Sequence, residues 1–146
     1  MSSIKEYLTN DHKKCDNLFS QMEKKASYSL SETAEIAREF VTDMEHHFQL
    51  EERIVFPEFE LKTGMLNGPT KIMRQEHMQM RNLMNQFFDA IEENNKDRFF
   101  SISETLMILL QQHNMKEEQM LYTMMQQQLN AESAQLVEKM DSLNTK

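Results

Sequence analysis

Apolar residues recur at three- and four-residue steps along most of the chain, the period of helices that turn one face to a core. Four segments carry the pattern. The first holds Ile4, Leu8, Cys15, Phe19 and Met22, and Ser3 with Glu6 reads as the capping box that opens it. The second holds Ile36, Phe40, Met44, Ile54 and Val55 behind another box, Ser29 with Glu32, and Pro57 is expected to kink or end it. A loop over residues 63–68 follows. Pro69 suits the first position of a third helix carrying Met73, Met80, Met84, Phe87 and Ile91. Asn94 and Asn95 break the pattern before a fourth helix with Phe99, Ile102, Leu106, Leu109, Met120 and Met124, and a short fifth helix is expected over about 131–143. Short connections make long amphipathic helices antiparallel neighbours. The expected fold is all-α, an up-down-up-down four-helix bundle with a short C-terminal helix.

Composition narrows the picture. The chain has 146 residues, 39% of them apolar, which suits one domain over 1–146. Two glycines and two prolines leave too few turn formers for an all-β fold. The net charge of −8, with no basic stretch to override it, argues against nucleic acid and anionic membrane surfaces as partners. The longest apolar run, Leu106 to Leu110, is far too short to span a bilayer. A single cysteine excludes a disulfide framework and fits a reducing compartment. The N-terminus has no apolar stretch of the signal-peptide kind, so a cytoplasmic location is expected.

Histidine interrupts each apolar stripe once. His12 lies between Leu8 and Cys15, His47 between Met44 and Ile54, His77 between Met73 and Met80, and His113 between Leu109 and Met120. All four therefore point inward. Glu51 and Glu117 follow His47 and His113 by one turn on the same helix face. One inward histidine is ordinarily a hydrogen-bonded core residue. Four imidazoles with two carboxylates are too costly to bury unless they pair or bind metal.

An internal repeat sharpens this reading. Residues 11–19 resemble residues 76–84, with an acid-His start and an Asn-Leu step in register, and His47-x-x-x-Glu51-Glu52 resembles His113-x-x-x-Glu117-Glu118. The chain reads as two pseudo-repeated hairpins, about 1–62 and 69–128, each giving one lone histidine and one His-x-x-x-Glu. Counted from the hairpin turns at 1.5 Å per residue, the six side chains fall at matching levels. Four nitrogens and two carboxylates able to bridge form a donor set for two metals. Without thiolate the set suits Fe or Mn, with Zn, Co and Ni behind them.

At these residues the chain resembles the hemerythrin-like (HHE) family over almost its whole length. His12, His47-x-x-x-Glu51, Glu76-His77 and His113-x-x-x-Glu117-Glu118 carry the resemblance, and Ile54-Val55-Phe56-Pro57 and Met120-Leu121-Tyr122 continue it, although Thr123 stands where a proline is common. It implies two iron ions, oxo- or hydroxo- and carboxylate-bridged, with Glu51 and Glu117 bridging and His12, His47, His77 and His113 terminal; Mn and Zn rank behind iron. Oxygen-carrying hemerythrins place a fifth histidine one turn after the third-helix one, where this chain has Arg81. The four-His, two-Glu set is similar to the di-iron domain of bacterial iron–sulfur cluster repair proteins. The implied function is binding of, or reaction with, O2, NO or peroxide at open iron positions. The alternatives are an iron donor or store supporting iron–sulfur cluster repair, and a reversible O2 carrier or sensor. The implied partners are that small ligand, an electron donor and an apo iron–sulfur protein.

Other residues have plainer readings. The repeat favours Glu117 over Glu118 as the bridge and makes Glu52 and Glu118 neighbours of the ligands or surface acids. His46 faces about 100° away from His47. Cys15 and most of the 14 methionines read as core fillers. Arg81 either faces the cluster, pairs with a carboxylate or snorkels at the bundle edge. Tyr7 and Tyr122 could hydrogen-bond near the site, and spacing does not decide between them.

Overall fold

Ser3 caps the first helix, α1 (Ile4–Tyr28), its hydroxyl accepting from the Glu6 N–H at 3.1 Å. In the computed structural model, which describes residues 2–144, no strand occurs among the described residues. The Ser29–Glu32 box does not open the second helix. The Ser29 hydroxyl lies 3.2 Å from that of Ser31, residues Leu30–Glu32 make a 3-10 turn, and α2 (Ala34–Gln49) starts behind Thr33. A widened π turn, Leu50–Val55, then leads into α3 (Phe56–Thr63), which ends at Gly64 with φ +72°. After the loop come α4 (Pro69–Glu92) and α5 (Lys96–Lys116). Between them Asn94 sits at φ +53°, and the Asn95 side chain caps α5 by accepting from the Arg98 N–H at 3.0 Å. A second π turn, Glu117–Leu121, leads into α6 (Tyr122–Gln128), and α7 (Ser133–Asn144) closes the described chain.

Pro57 does not end its helix, which runs on to Thr63. The Phe56 N–H bonds the Glu51 carbonyl five residues back, and this widened turn accommodates the ring that follows. The Tyr122 N–H bonds the Glu117 carbonyl in the same way, beside Thr123 rather than a proline. The turn is thus a property of the repeated ligand segment and not of proline. It also shifts the helix face by about one residue. Met120, expected inward, is 63% exposed, while Leu121 and Tyr122 are buried.

The four long helical rods pack in a ring: α1 on α2, α2 on α4, α4 on α5, and α5 with α6 back on α1. The short α7 lies against α1 and the first π turn. Two apolar clusters fill the interior. One holds Cys15, Phe19, Phe40, Phe48, Phe87 and Phe99, the other Leu8, Leu50, Phe56, Phe59, Tyr122 and Met140. A fully buried Phe contributes roughly 2 kcal/mol through the area it removes from water. Between the two clusters lies a polar layer. No helix among the described residues is long and apolar enough to cross a membrane.

Candidate metal centre

The polar layer is made of His12 on α1, His47 on α2, His77 on α4, His113 on α5, and Glu51 and Glu117 in the two π turns, all buried. Helical spacing alone explains why each histidine faces in. The glutamates also need their widened turns, which set both carboxylates across the middle of the bundle. Glu51 places Oε2 3.4 Å from His47 Nε2 and Oε1 3.0 Å from His77 Nε2. Glu117 places Oε1 3.0 Å from His12 Nε2 and Oε2 3.2 Å from His113 Nε2. Two groups of four donors result, His12/His47/Glu51/Glu117 and Glu51/His77/His113/Glu117, each with its ligand atoms within 4.8 Å of one another. Each carboxylate gives one oxygen to each group.

The second group is unsatisfied. Glu51 Oε1, His77 Nε2, His113 Nε2 and Glu117 Oε2 are buried and make no aligned hydrogen bond, despite their short separations. Leaving one buried polar group unpaired costs about 1–3 kcal/mol, and four together are rare in a native core. A single cation among them would satisfy all four. The residues present therefore fit a metal.

Outside the donors runs a closed ring of acids. Asp11 on α1 lies 2.7 Å from His47 Nδ1, Glu52 beyond α2 lies 2.6 Å from His77 Nδ1, Glu76 on α4 lies 2.8 Å from His113 Nδ1, and Glu118 beyond α5 lies 2.6 Å from His12 Nδ1. Each Nδ1–H donates to a carboxylate on the adjacent rod, so every Nε2 is aimed at the centre. These four acids sit immediately beside a donor in the chain. That adjacency carries the ring around the bundle without a gap. Glu52 is held in turn by Arg81, whose guanidinium bonds Glu45 at 2.8 Å and Glu52 at 3.0 and 3.1 Å and lies 5.0 Å over the Phe48 ring. Arg81 thus faces away from the donors. Lys116 pairs with Glu76.

The charges reinforce one another. Burial by itself lowers an imidazole pKa, yet the neighbouring carboxylates outweigh it and raise those of His12, His47 and His77, with His113 raised to about 10. Glu76 is held down to about 2, chiefly by the bond from His113. Burial pushes Glu51 up, but His47, His77 and Glu117 together outweigh it and hold the carboxyl well below the ordinary range.

Tyr122 is the residue whose place the spacing left open. Its hydroxyl lies 2.5 Å from Glu51 Oε2 and 2.9 Å from Glu117 Oε1, with His12 Nε2 at 3.0 Å and His47 Nε2 at 3.3 Å. On an unbroken α-helix residue 122 would point about 140° away from Glu117, and the π turn brings it back. Its equivalent in the first hairpin is Phe56, the one available signal. Tyr7 instead bonds Asp141 at 3.2 Å, His46 lies 3.2 Å from the Leu143 carbonyl, and Cys15 packs in the first apolar cluster.

The Hemerythrin HHE cation binding domain matches residues 3–143. The chain belongs to the hemerythrin family. Neither the curated proteins nor the solved structures give a match. Membership makes this a cation-binding domain, and its six inward His and Glu side chains are the ones the geometry brings together. The acid ring yields a direct prediction for this hemerythrin domain. Outer-shell acids orient imidazole ligands and raise their basicity, and their loss typically costs about 10–100-fold in metal affinity. Glu118→Ala should weaken metal binding by about that factor while leaving the stoichiometry intact, as an equilibrium metal titration would show; unchanged affinity would contradict it.

Proposed function

We propose that this hemerythrin domain holds two iron ions and binds or reacts with O2, NO or peroxide. His12, His47, His77 and His113 are the terminal ligands, and Glu51 and Glu117 bridge. One observation carries the reading: among the described residues each position has four protein donors, two imidazoles and one oxygen from each glutamate, inside a layer closed above and below by apolar side chains. Nitrogen and oxygen donors without thiolate suit iron, and four of them leave room for an exogenous ligand. A bound ferrous pair supplies Lewis acidity and electrons to that ligand.

The chain's own side chains set what arrives there. Phe48 stacks on His77 with centroids 4.0 Å apart, and Phe56 lies 6.1 Å from it on a near-parallel plane. No donor is more than 3% exposed, so molecules larger than a few atoms are shut out. Arg81, where oxygen carriers have a fifth histidine, spends its guanidinium on Glu45 and Glu52 and would supply no ligand to a bound metal. The same burial weighs against ready release of iron to an acceptor protein.

The test is an optical spectrum of anaerobic, Fe(II)-loaded protein recorded before and after O2, NO and peroxide, and again after degassing. A new charge-transfer band with at least one of the three is expected. Its loss on degassing marks reversible carriage, and its persistence marks reaction. Spectra unchanged by all three would overturn the proposal.

A further inference from the structure

The two donor groups are related by the internal repeat, yet they are not equivalent. In the His77/His113 group all four donor atoms lack a hydrogen-bond partner. In the His12/His47 group all four lie within 3.3 Å of the Tyr122 hydroxyl, which occupies the middle of that group. Phe56 stands at the matching place in the other half and carries no hydroxyl. A cation entering between His77 and His113 displaces imidazole protons but breaks no hydrogen bond to the four donor atoms. One entering between His12 and His47 must first displace the phenol.

We propose that Tyr122 makes metal loading sequential, the first ion entering between Glu51 Oε1, His77, His113 and Glu117 Oε2 and the second entering between His12 and His47 only as the Tyr122 hydroxyl gives way. Glu51 and Glu117 let this happen without rebuilding the site. Each uses one oxygen for the first ion while its other oxygen stays on Tyr122. The phenol then acts as a placeholder, donating its one proton to a carboxylate oxygen and accepting at its own oxygen from an imidazole N–H, until the second ion arrives.

A competing effect runs the other way. Arg81 and Lys116 neutralise Glu52 and Glu76, the acids behind His77 and His113, whereas among the described residues no lysine or arginine comes within ion-pair distance of Asp11 or Glu118, which meet only His47 and His12. That charge pattern favours a cation between His12 and His47. It acts at one remove, through carboxylates that are themselves outside the donors, and from side chains 19% and 46% exposed, where solvent screens it. The Tyr122 hydroxyl touches the donor atoms in a dry core, where each bond to a charged group counts most. The tyrosine sets the order.

The inference rests on the two-metal reading, and the experiment separates the two. The metal-free full-length chain is titrated with zinc(II), which avoids redox chemistry, by calorimetry, and crystals are grown with one equivalent of zinc. The wild type should bind in two steps, the second weaker by at least about tenfold. Anomalous density at one equivalent should lie between His77 and His113. Tyr122→Phe, which copies Phe56, should tighten the second step by about tenfold so that the steps merge, with an unchanged circular-dichroism spectrum. Density between His12 and His47, an even split, or a second step indifferent to the substitution overturns the sequential order alone. Failure to bind zinc at all overturns the metal-centre reading with it. Should Tyr122→Phe fail to fold, the position of the first ion in wild-type crystals still decides.

Discussion

Glu51→Ala should abolish binding of the proposed metal pair. Glu51 is fully buried and supplies one oxygen to each donor group, so a single substitution takes a ligand from both positions at once. It also removes the anion that stands between His47 and His77 and one of the two carboxylates that would offset the mutual repulsion of two bound cations. The loss of an outer-shell acid already costs about 10–100-fold in affinity, so loss of a shared ligand should exceed about 100-fold. Iron content after desalting should fall from two ions per chain, one for each donor group, to below one. Glu117→Ala should behave alike, by the internal repeat. Elemental analysis of the purified variants reads the result directly, and retention of two ions in either would contradict the bridging assignment.

Acid should strip the metals steeply. In the metal-free protein the neighbouring carboxylates raise the pKa of all four imidazoles, that of His47 well above its ordinary range and that of His113 to about 10. Binding must displace the protons of His47 and His113, one in each donor group and so about one per ion, and affinity should fall about tenfold per ion for each pH unit lost near neutrality. Calorimetry in buffers of different ionisation enthalpy counts the protons, and release of fewer than one per ion would contradict the account. The sign for folding is opposite in the two forms. Without metal, the raised His113 stabilises fully below 6.5 and loses its contribution as pH rises towards about 10. The lowered Glu76 stabilises above 4.5 and loses its contribution as pH falls towards about 2. The metal-free fold should therefore melt highest between those limits, at pH 4.5 to 6.5, and lower at pH 9. The loaded protein should gain stability as pH rises. At free metal about 100 times Kd, two ions add about 5 kcal/mol, or about 15 °C in melting temperature for a chain this size.

Much of this was legible in residue spacing. Histidines at helical steps inside apolar stripes had to face inward, and the offset between the hairpins placed Glu117 rather than Glu118 on the face of its histidine. In the structure Glu117 lies buried among the donors and Glu118 on the outer nitrogen of His12. What spacing could not show follows from one device. A period of 3.6 residues assumes an unbroken helix, and the π turns after Gln49 and Lys116 break it at the glutamates. Every inward position beyond them is displaced by about one residue. That sends Met120 outward and Tyr122 into the centre. Glu32 misled for a different reason, because Ser29 engages Ser31 and leaves Thr33 to start α2. Asp11 and Glu76 were visible only as acids preceding a histidine. Their contacts cross between helices, and a sequence lays out no such pairing.

The central claim is that this hemerythrin domain holds two metal ions together between its six buried His and Glu side chains. Mössbauer spectroscopy of protein loaded with 57Fe and oxidised, alongside elemental analysis, tests it most directly. Two irons per chain with a diamagnetic ground state in an applied field, the mark of two coupled ferric ions sharing bridging ligands, is the predicted result. One iron per chain, or ferric ions that behave as magnetically isolated centres, would contradict it.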